Sequence, residues 1–108
     1  YGKVKYTAPK REKITAIGTF LSEDNTQVKY WIFSDANLTK MVGYSANTSF
    51  ENEGFYSIDP VNPTYIEGDF FLLFCFSKTP HLHCKISLTI LAFTGARILP
   101  VTGLNSFR

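Results

Sequence analysis

The chain has 108 residues, of which 44% are hydrophobic, 19% charged and 16% aromatic, and its formal net charge is +2. This length is typical of one domain with a buried core, and the aromatic content favours strands over helices. The composition excludes a coiled coil, a helical bundle and a collagen-like chain. No apolar run approaches the roughly 18 residues of a transmembrane helix.

Apolar segments alternate with turn-forming segments along the chain, and this pattern predicts about seven strands and few helices. β-branched and aromatic residues dominate these segments, and clusters of Gly, Pro, Asn, Asp and Ser separate them. The strands are expected at residues 13–21, 28–33, 40–46, 54–58, 69–77, 85–94 and 97–101. Within the third of them, Gly43 indicates a bulge or a close backbone approach.

The two most apolar segments, 69–77 and 85–94, are predicted to be central strands that pair with each other as a hairpin. The residues expected in the core are Phe71, Leu73, Leu88, Ile90, and Trp31 or its strand neighbours. Together, the elements predict an all-β fold, an antiparallel β-sandwich.

Positive charge is concentrated at the beginning of the chain. Residues 1–13 contain five basic residues and one acidic residue, whereas residues 14–108 contain six and eight. We therefore divide the chain into a basic N-terminal arm, 1–13, and a single sandwich domain, 14–108. Such an arm is typical of a segment that meets phosphates of lipid headgroups or nucleic acid, or of a solvated lead-in.

The sequence contains no motif typical of catalysis. It has no nucleophile–base set and no Gly-rich phosphate loop, so we expect a protein that is not an enzyme and has no cofactor. His81, His83, Cys75 and Cys84 are zinc ligands by type, but their spacing is unlike that of a zinc site. The aspartates stand in separate loops, where their side chains are expected to bond turn backbone rather than calcium.

Two covalent modifications are consistent with the sequence. In a hairpin of the two apolar segments, Cys75 and Cys84 could face each other and form a disulfide. Asn37 and Asn47 begin N-glycosylation sequons in predicted loops. Both modifications would accompany secretion.

Three segments of the chain match the pattern of one known family in order and spacing. Residues 28–46, VKYWIFSDANLTKMVGYSA, read as strand, turn and strand ending in Tyr44-Ser45. Gly68-Asp69 then opens the apolar strand FFLLFCF, and residues 93–98 read FTGARI. In these features the chain resembles the tensin-type C2 domain, which follows the phosphatase domain in phosphoinositide 3-phosphatases, tensins and auxilin-like proteins.

The resemblance implies a non-catalytic module that docks, without calcium, on an anionic phospholipid membrane or on a neighbouring domain. It also implies a cytoplasmic, membrane-peripheral location, and a sandwich that lacks the family's closing strand. The family's lysine-rich membrane loop is reduced here to Lys78 and Lys85 around two histidines, which gain charge below about pH 6.5. The membrane-binding residues would be Lys78, His81, Leu82, His83 and Lys85, joined by Lys10, Arg11 and Lys13 of the arm.

Two other functional interpretations stay open at this point. One is a secreted or surface β-sandwich, such as an adhesion, lectin-like or coat-forming unit, glycosylated at Asn37 or Asn47. The other is a structural subunit of a large assembly, with its basic arm bound to a neighbouring chain. Nucleic acid is the less favoured partner of the arm.

Overall fold

The structure is a computed structural model that describes residues 2–21, 23–78, 90–95, 98–100 and 103–106. These residues form nine β-strands and no helix, and every pairing between the strands is antiparallel. The strands are β1 (Gly2–Leu21), β2 (Thr26–Phe33), β3 (Met41–Tyr44), β4 (Thr48–Phe50), β5 (Gly54–Ile58), β6 (Thr64–Lys78), β7 (Ile90–Thr94), β8 (Ile98–Pro100) and β9 (Gly103–Ser106). The predicted all-β antiparallel fold is confirmed.

The long strand β1 connects two layers of one continuous sheet. Its first part, residues 2–14, pairs with β6 and β9, and its last part, residues 14–21, pairs with β5 and β7. We call β2, β3, β4, β6, β9 and residues 2–14 of β1 the first layer. The second layer consists of residues 15–21 of β1 with β5, β7 and β8. The order β3-β2-β6-β1-β7-β8 does not close on itself among the described strands, so the fold is sandwich-like and open at its edges.

One hydrophobic core fills the space between the two layers. Burial alternates along β2, where Val28, Tyr30 and Ile32 point inward. Ile17 and Ile90 of the second layer meet side chains of β2 and β6 around a cavity of only about 10 Å³. This contact across the layers buries apolar surface from both, which is the main stabilising term of such a fold.

The predicted register of the apolar segment 69–77 is wrong. Phe71 and Leu73 are half-buried on the outer face, and the side chains that point into the core are Phe70, Leu72, Phe74 and Phe76. Both faces of this segment are apolar, so its pattern contains no period-two signal. Its neighbours set the register, because buried Val4 and Tyr6 of β1 stand opposite Leu72 and Phe70.

The remaining core predictions are confirmed where the structure describes them. Ile90 is buried. Trp31 is half-buried, while its strand neighbours Tyr30 and Ile32 are buried, which is the second of the two alternatives expected for this strand. Leu88 lies outside the described residues.

The predicted hairpin of 69–77 with 85–94 is wrong over the described residues. β6 lies between β1 and β2, and β7 pairs with β1 and β8. The reason is that residues 2–13 are not a separate basic arm but the first part of β1. This part takes the edge of β6 that a hairpin would need.

Gly43 confirms both features predicted for it. The pairing of β2 with β3 is shifted between Ile32↔Gly43 and Phe33↔Met41, which is a β-bulge. A Cβ atom at this position would also overlap the side chain of Thr64 at the start of β6. The close approach therefore requires a residue without a side chain.

Two buried tyrosines of the core differ in their hydrogen bonding. The Tyr30 hydroxyl donates to the Ile58 carbonyl oxygen at 2.8 Å, and the Tyr30 N–H donates to Ser45 Oγ at 2.9 Å. The Tyr6 ring stacks on Phe70, and the Tyr6 hydroxyl has no hydrogen-bond partner among the described residues. Burial raises the pKa of both phenols above the ordinary value, and Asp59 adds to the rise for Tyr30.

This difference predicts different costs for the same substitution. Tyr30→Phe removes the donor to Ile58 and should lower the free energy of unfolding by about 1 kcal/mol. Tyr6→Phe removes a hydroxyl that is desolvated without a bond, so stability should stay equal or rise. Chemical denaturation of the two variants measures both values, and a larger loss for Tyr6→Phe would contradict the assigned hydrogen bonds.

Candidate docking surface

A large bulge in β1 exposes two basic residues. The pairing of β1 with β6 runs to Ala8↔Gly68 and resumes at Glu12↔Ile66. Three residues of β1, Pro9-Lys10-Arg11, therefore stand opposite the single residue Glu67. Proline cannot donate to a strand ladder, so a break at this position is expected. The bulge turns Lys10 and Arg11 into solvent, and both are exposed.

An aromatic residue of β6 completes this basic surface. Lys13 is exposed and stands directly opposite Tyr65, which is 50% exposed. The Arg11 Cζ atom lies 4.9 Å from the centroid of the Tyr65 ring, a cation–π contact. We name Lys10, Arg11, Lys13 and Tyr65 the bulge cluster.

The bulge cluster keeps a net positive charge despite the carboxylates near it. Glu12 is buried and points inward, where its Oε1 accepts from Thr94 Oγ1 at 2.9 Å. Glu67 is exposed opposite the bulge. Asp59 is also exposed and lines a groove beside Lys13. Three cations against two exposed carboxylates still leave this part of the surface with a net positive charge.

A groove of about 290 Å³ borders the bulge cluster. Lys13 and Thr15 of β1 form one wall, and the loop of residues 59–63 forms the other. Val61 of this loop is exposed. The surface around Lys13 thus combines a cation, an aromatic ring and an aliphatic side chain with the carboxylate of Asp59.

The structure places Lys78 far from Lys10, Arg11 and Lys13, with which the sequence grouped it on one membrane face. Tyr65 pairs with Lys13 near one end of β6, whereas Lys78 pairs with Thr26 at the other end. At about 3.3 Å per residue, the thirteen positions from Tyr65 to Lys78 span roughly 40 Å. Lys10, Arg11 and Lys13 therefore lie together, without Lys78. The predicted residues His81, Leu82, His83, Cys84 and Lys85 lie outside the described residues.

The outer face of the first layer also carries lysines, but these contact its own side chains. Lys3 Nζ lies 5.5 Å from the centroid of the Phe71 ring and donates to the Ala36 carbonyl oxygen at 2.7 Å. Lys29 Nζ lies 5.5 Å from the centroid of the Trp31 ring. The two ammonium groups thus lie over aromatic rings of their own layer.

Lys5 on the same face forms an ion pair. Its Nζ lies 3.4 Å from Asp69 Oδ2, and Thr7 Oγ1 donates to Asp69 Oδ1 at 2.8 Å. The hydrogen bond from Thr7, helped by Lys5, lowers the pKa of the Asp69 carboxyl below its ordinary value. Lys5 is therefore less available to an external anion than the residues of the bulge cluster.

The expectation that the aspartates bond their own turns is confirmed for Asp35 alone, because Asp24 bonds the backbone of another loop and Asp69 of β6 contacts side chains of β1. Asp35 accepts from the N–H groups of Thr39 and Lys40 and from Thr39 Oγ1, and the bond from the Thr39 hydroxyl is the main cause of its lowered pKa. Asp24 Oδ1 accepts from the Glu53 N–H at 2.9 Å. Among the described residues, no three His, Cys, Asp or Glu side chains gather where they could hold a metal ion.

The residues predicted for covalent modification lie on the surface or outside the described part of the chain. Asn37 and Asn47 are exposed in loops. Cys75 is half-buried on the outer face of β6, and Cys84 is not among the described residues. Glycosylation and the disulfide therefore stay predictions.

No family model, curated protein or solved structure matches the chain. Within the described residues, no helix is long and apolar enough to span a membrane. The tensin-type C2 resemblance stays a prediction from sequence, and a functional interpretation rests on the geometry of the surface.

Proposed function

We propose that the chain is a non-catalytic docking module that binds anionic phospholipid membranes without calcium, through the bulge cluster. The observation that carries this proposal is the exposure of Lys10, Arg11 and Lys13 beside the Tyr65 ring. Cations meet lipid phosphates, and an amphipathic tyrosine ring suits the headgroup region. A peripheral position on a cytoplasmic membrane surface is part of the proposal.

The expected binding is weak and electrostatic. Each Lys or Arg near an anionic surface contributes about 1 kcal/mol, so the three cations give about 3 kcal/mol before the repulsion of Glu67 and Asp59 is considered. The attraction should fall as salt rises, because the Debye length is only about 8 Å at 0.15 M ionic strength. Docking of this strength suits a module that acts together with other parts of a larger protein.

The bonding of the turn aspartates supports binding without calcium. Calcium takes six to eight converging oxygen ligands. The Asp35 carboxylate is bonded to backbone within its own loop, and the Asp24 carboxylate is bonded to the Glu53 N–H of the loop before β5. Chelation of divalent cations should therefore leave membrane binding unchanged.

Charge reversal in the bulge cluster tests the proposal. Lys13→Glu should weaken co-sedimentation with phosphatidylserine-containing vesicles by about tenfold or more, because one attraction is replaced by one repulsion. Lys40→Glu is the matched control, since Lys40 is an exposed lysine in the loop after β2. It should change the binding by less than about threefold.

Three outcomes of this assay would contradict the proposal. They are equal pelleting with neutral and anionic vesicles, no pelleting with either at low salt, and equal losses for Lys13→Glu and Lys40→Glu. The first two would favour the secreted or assembly interpretation. The third would show that net charge, rather than the bulge cluster, causes the attraction.

A further inference from the structure

The outer face of the second layer lacks charge over its described strands. Residues 16–20 of β1 and all of β5, β7 and β8 contain no Asp, Glu, Lys or Arg. Three apolar side chains on this face are about half exposed: Phe20 at 47%, Phe55 at 46% and Ile98 at 55%. A patch of this kind on a water-soluble protein usually marks a contact surface.

The side chains of this face form one continuous apolar surface. Phe20 stands directly opposite Phe55, and Ile98 stands opposite Phe93. The rings of Phe55 and Phe93 meet edge to face, with 6.4 Å between their centroids. Both rings lie over Gly18, where a Cβ atom would come within 2.5 Å of Phe93 and 2.6 Å of Phe55.

The two outer faces differ in how their aromatic rings are covered. On the first layer, the ammonium groups of Lys3 and Lys29 lie over Phe71 and Trp31. The described strands of the second layer have no lysine or arginine that could cover their rings in this way. We name Phe20, Phe55, Phe93 and Ile98 the apolar face.

We propose that the apolar face enters the boundary between headgroups and acyl chains of the membrane that the bulge cluster binds. This inference rests on the proposed function and adds a second, apolar component to it. The outward side of β1 carries Lys13 and Thr15 and, after a register shift between Ile14 and Ala16, continues with Gly18 and Phe20. Cations at one end of a strand and aromatic rings at the other complement a surface that is anionic outside and apolar beneath.

The exposed area favours a membrane over a second copy of the chain. An aromatic side chain has a surface of about 150–250 Å², so two half-exposed rings and one aliphatic side chain present a few hundred Å². A standard protein–protein interface buries about 800 Å² on each partner. The apolar face is large enough for shallow insertion and small for a stable dimer.

Tryptophan fluorescence tests the insertion directly. The chain has a single tryptophan, Trp31, on the outer face of the first layer. In a Trp31→Phe, Phe55→Trp variant, vesicles of phosphatidylserine with brominated acyl chains should quench emission at least twofold more than unbrominated vesicles. The parent chain should show no such difference, because Trp31 faces away from the second layer.

A second variant separates this inference from the proposed function. Phe20→Ser combined with Phe55→Ser should abolish the binding that persists at 0.5 M salt, whereas Lys13→Glu should reduce the binding at low salt. Circular dichroism and thermal unfolding verify that the serine variant folds. The unsubstituted chain should persist on the vesicles at 0.5 M salt and should be monomeric by light scattering.

Several results would overturn the insertion. If vesicles bind through Lys13 but brominated lipid does not quench Trp at position 55, the insertion is wrong and the proposed function stands. If no anionic vesicle is bound, both are wrong. A dimer that the serine substitutions dissociate would assign the apolar face to contact between copies instead.

Discussion

Leu72→Ala is expected to lower the free energy of unfolding by about 2–5 kcal/mol, through lost apolar transfer energy and the cavity that remains. Leu72 is 0% exposed and stands between Val4 of β1 and Ile32 of β2. It also borders the small cavity where the two layers meet, so side chains from both layers would lose contacts. Urea denaturation followed by Trp31 fluorescence measures the change.

Leu73→Ala provides the matched control, since the same substitution is made one residue further along β6. Leu73 is half-buried on the outer face. Its removal leaves no enclosed cavity and should cost less than half as much. Equal losses for the two variants, or a larger loss for Leu73→Ala, would contradict the register of β6.

Gly43→Ala is expected to lower the free energy of unfolding by about 1–3 kcal/mol, because the added methyl group overpacks a closed site. The new Cβ atom would overlap Thr64, which is 1% exposed. Thr64 cannot easily rotate away, since its Oγ1 donates to the Asn62 carbonyl oxygen at 3.0 Å. Chemical denaturation again measures the effect.

A second substitution and a control make this expectation specific. Thr64→Ala in the Gly43→Ala background should recover part of the loss, because it makes room for the new methyl group. Gly95→Ala is the control, since a Cβ atom there would meet nothing within 4 Å. Additive losses for Gly43→Ala and Thr64→Ala would show that the two residues are not in contact.

Whether the sequence predicts which residues of a strand point into the core depends on whether one face of the strand is apolar or both are. β2 alternates between buried and half-buried residues, so the position of its polar Lys29 indicates which side chains point inward. β6 faces the core on one side, and on its other side Phe71 and Leu73 are half-buried, with the Lys3 ammonium group over the Phe71 ring. Apolar residues suit both faces, and only its pairing with β1 and β2 decides which of them point inward.

The first half of β1 is hard to recognise as a strand for a different reason. Lysine and proline are uncommon in strands, and residues 1–13 contain four lysines and Pro9. The alternation of Lys3, Val4, Lys5 and Tyr6 is a period-two signal, but the charge of the segment conceals it. Long-range pairing with β6 and β9 overrides the weak local preference of these residues.

The candidate site can be predicted only in part. Lys10, Arg11 and Lys13 are close in the sequence, so their clustering is directly apparent. Tyr65 comes from a distant segment, and its place beside Lys13 depends on the pairing of β1 with β6. Thr64 and Ile66 on either side of it are buried, which is the alternation that directs Tyr65 to solvent.

The sharing of β1 between both layers has a consequence for synthesis on the ribosome. Of the described strands, β1 leaves the ribosome first. The first of its partner strands to follow is β5, which pairs Gly54 with Leu21, and the last is β9, which pairs Ser106 with Gly2. Closing such distant pairs makes folding slow, and until then β1 offers unpaired backbone and an apolar stripe to chaperones or to other nascent chains. We expect the nascent chain to stay unfolded until β9 has left the exit tunnel.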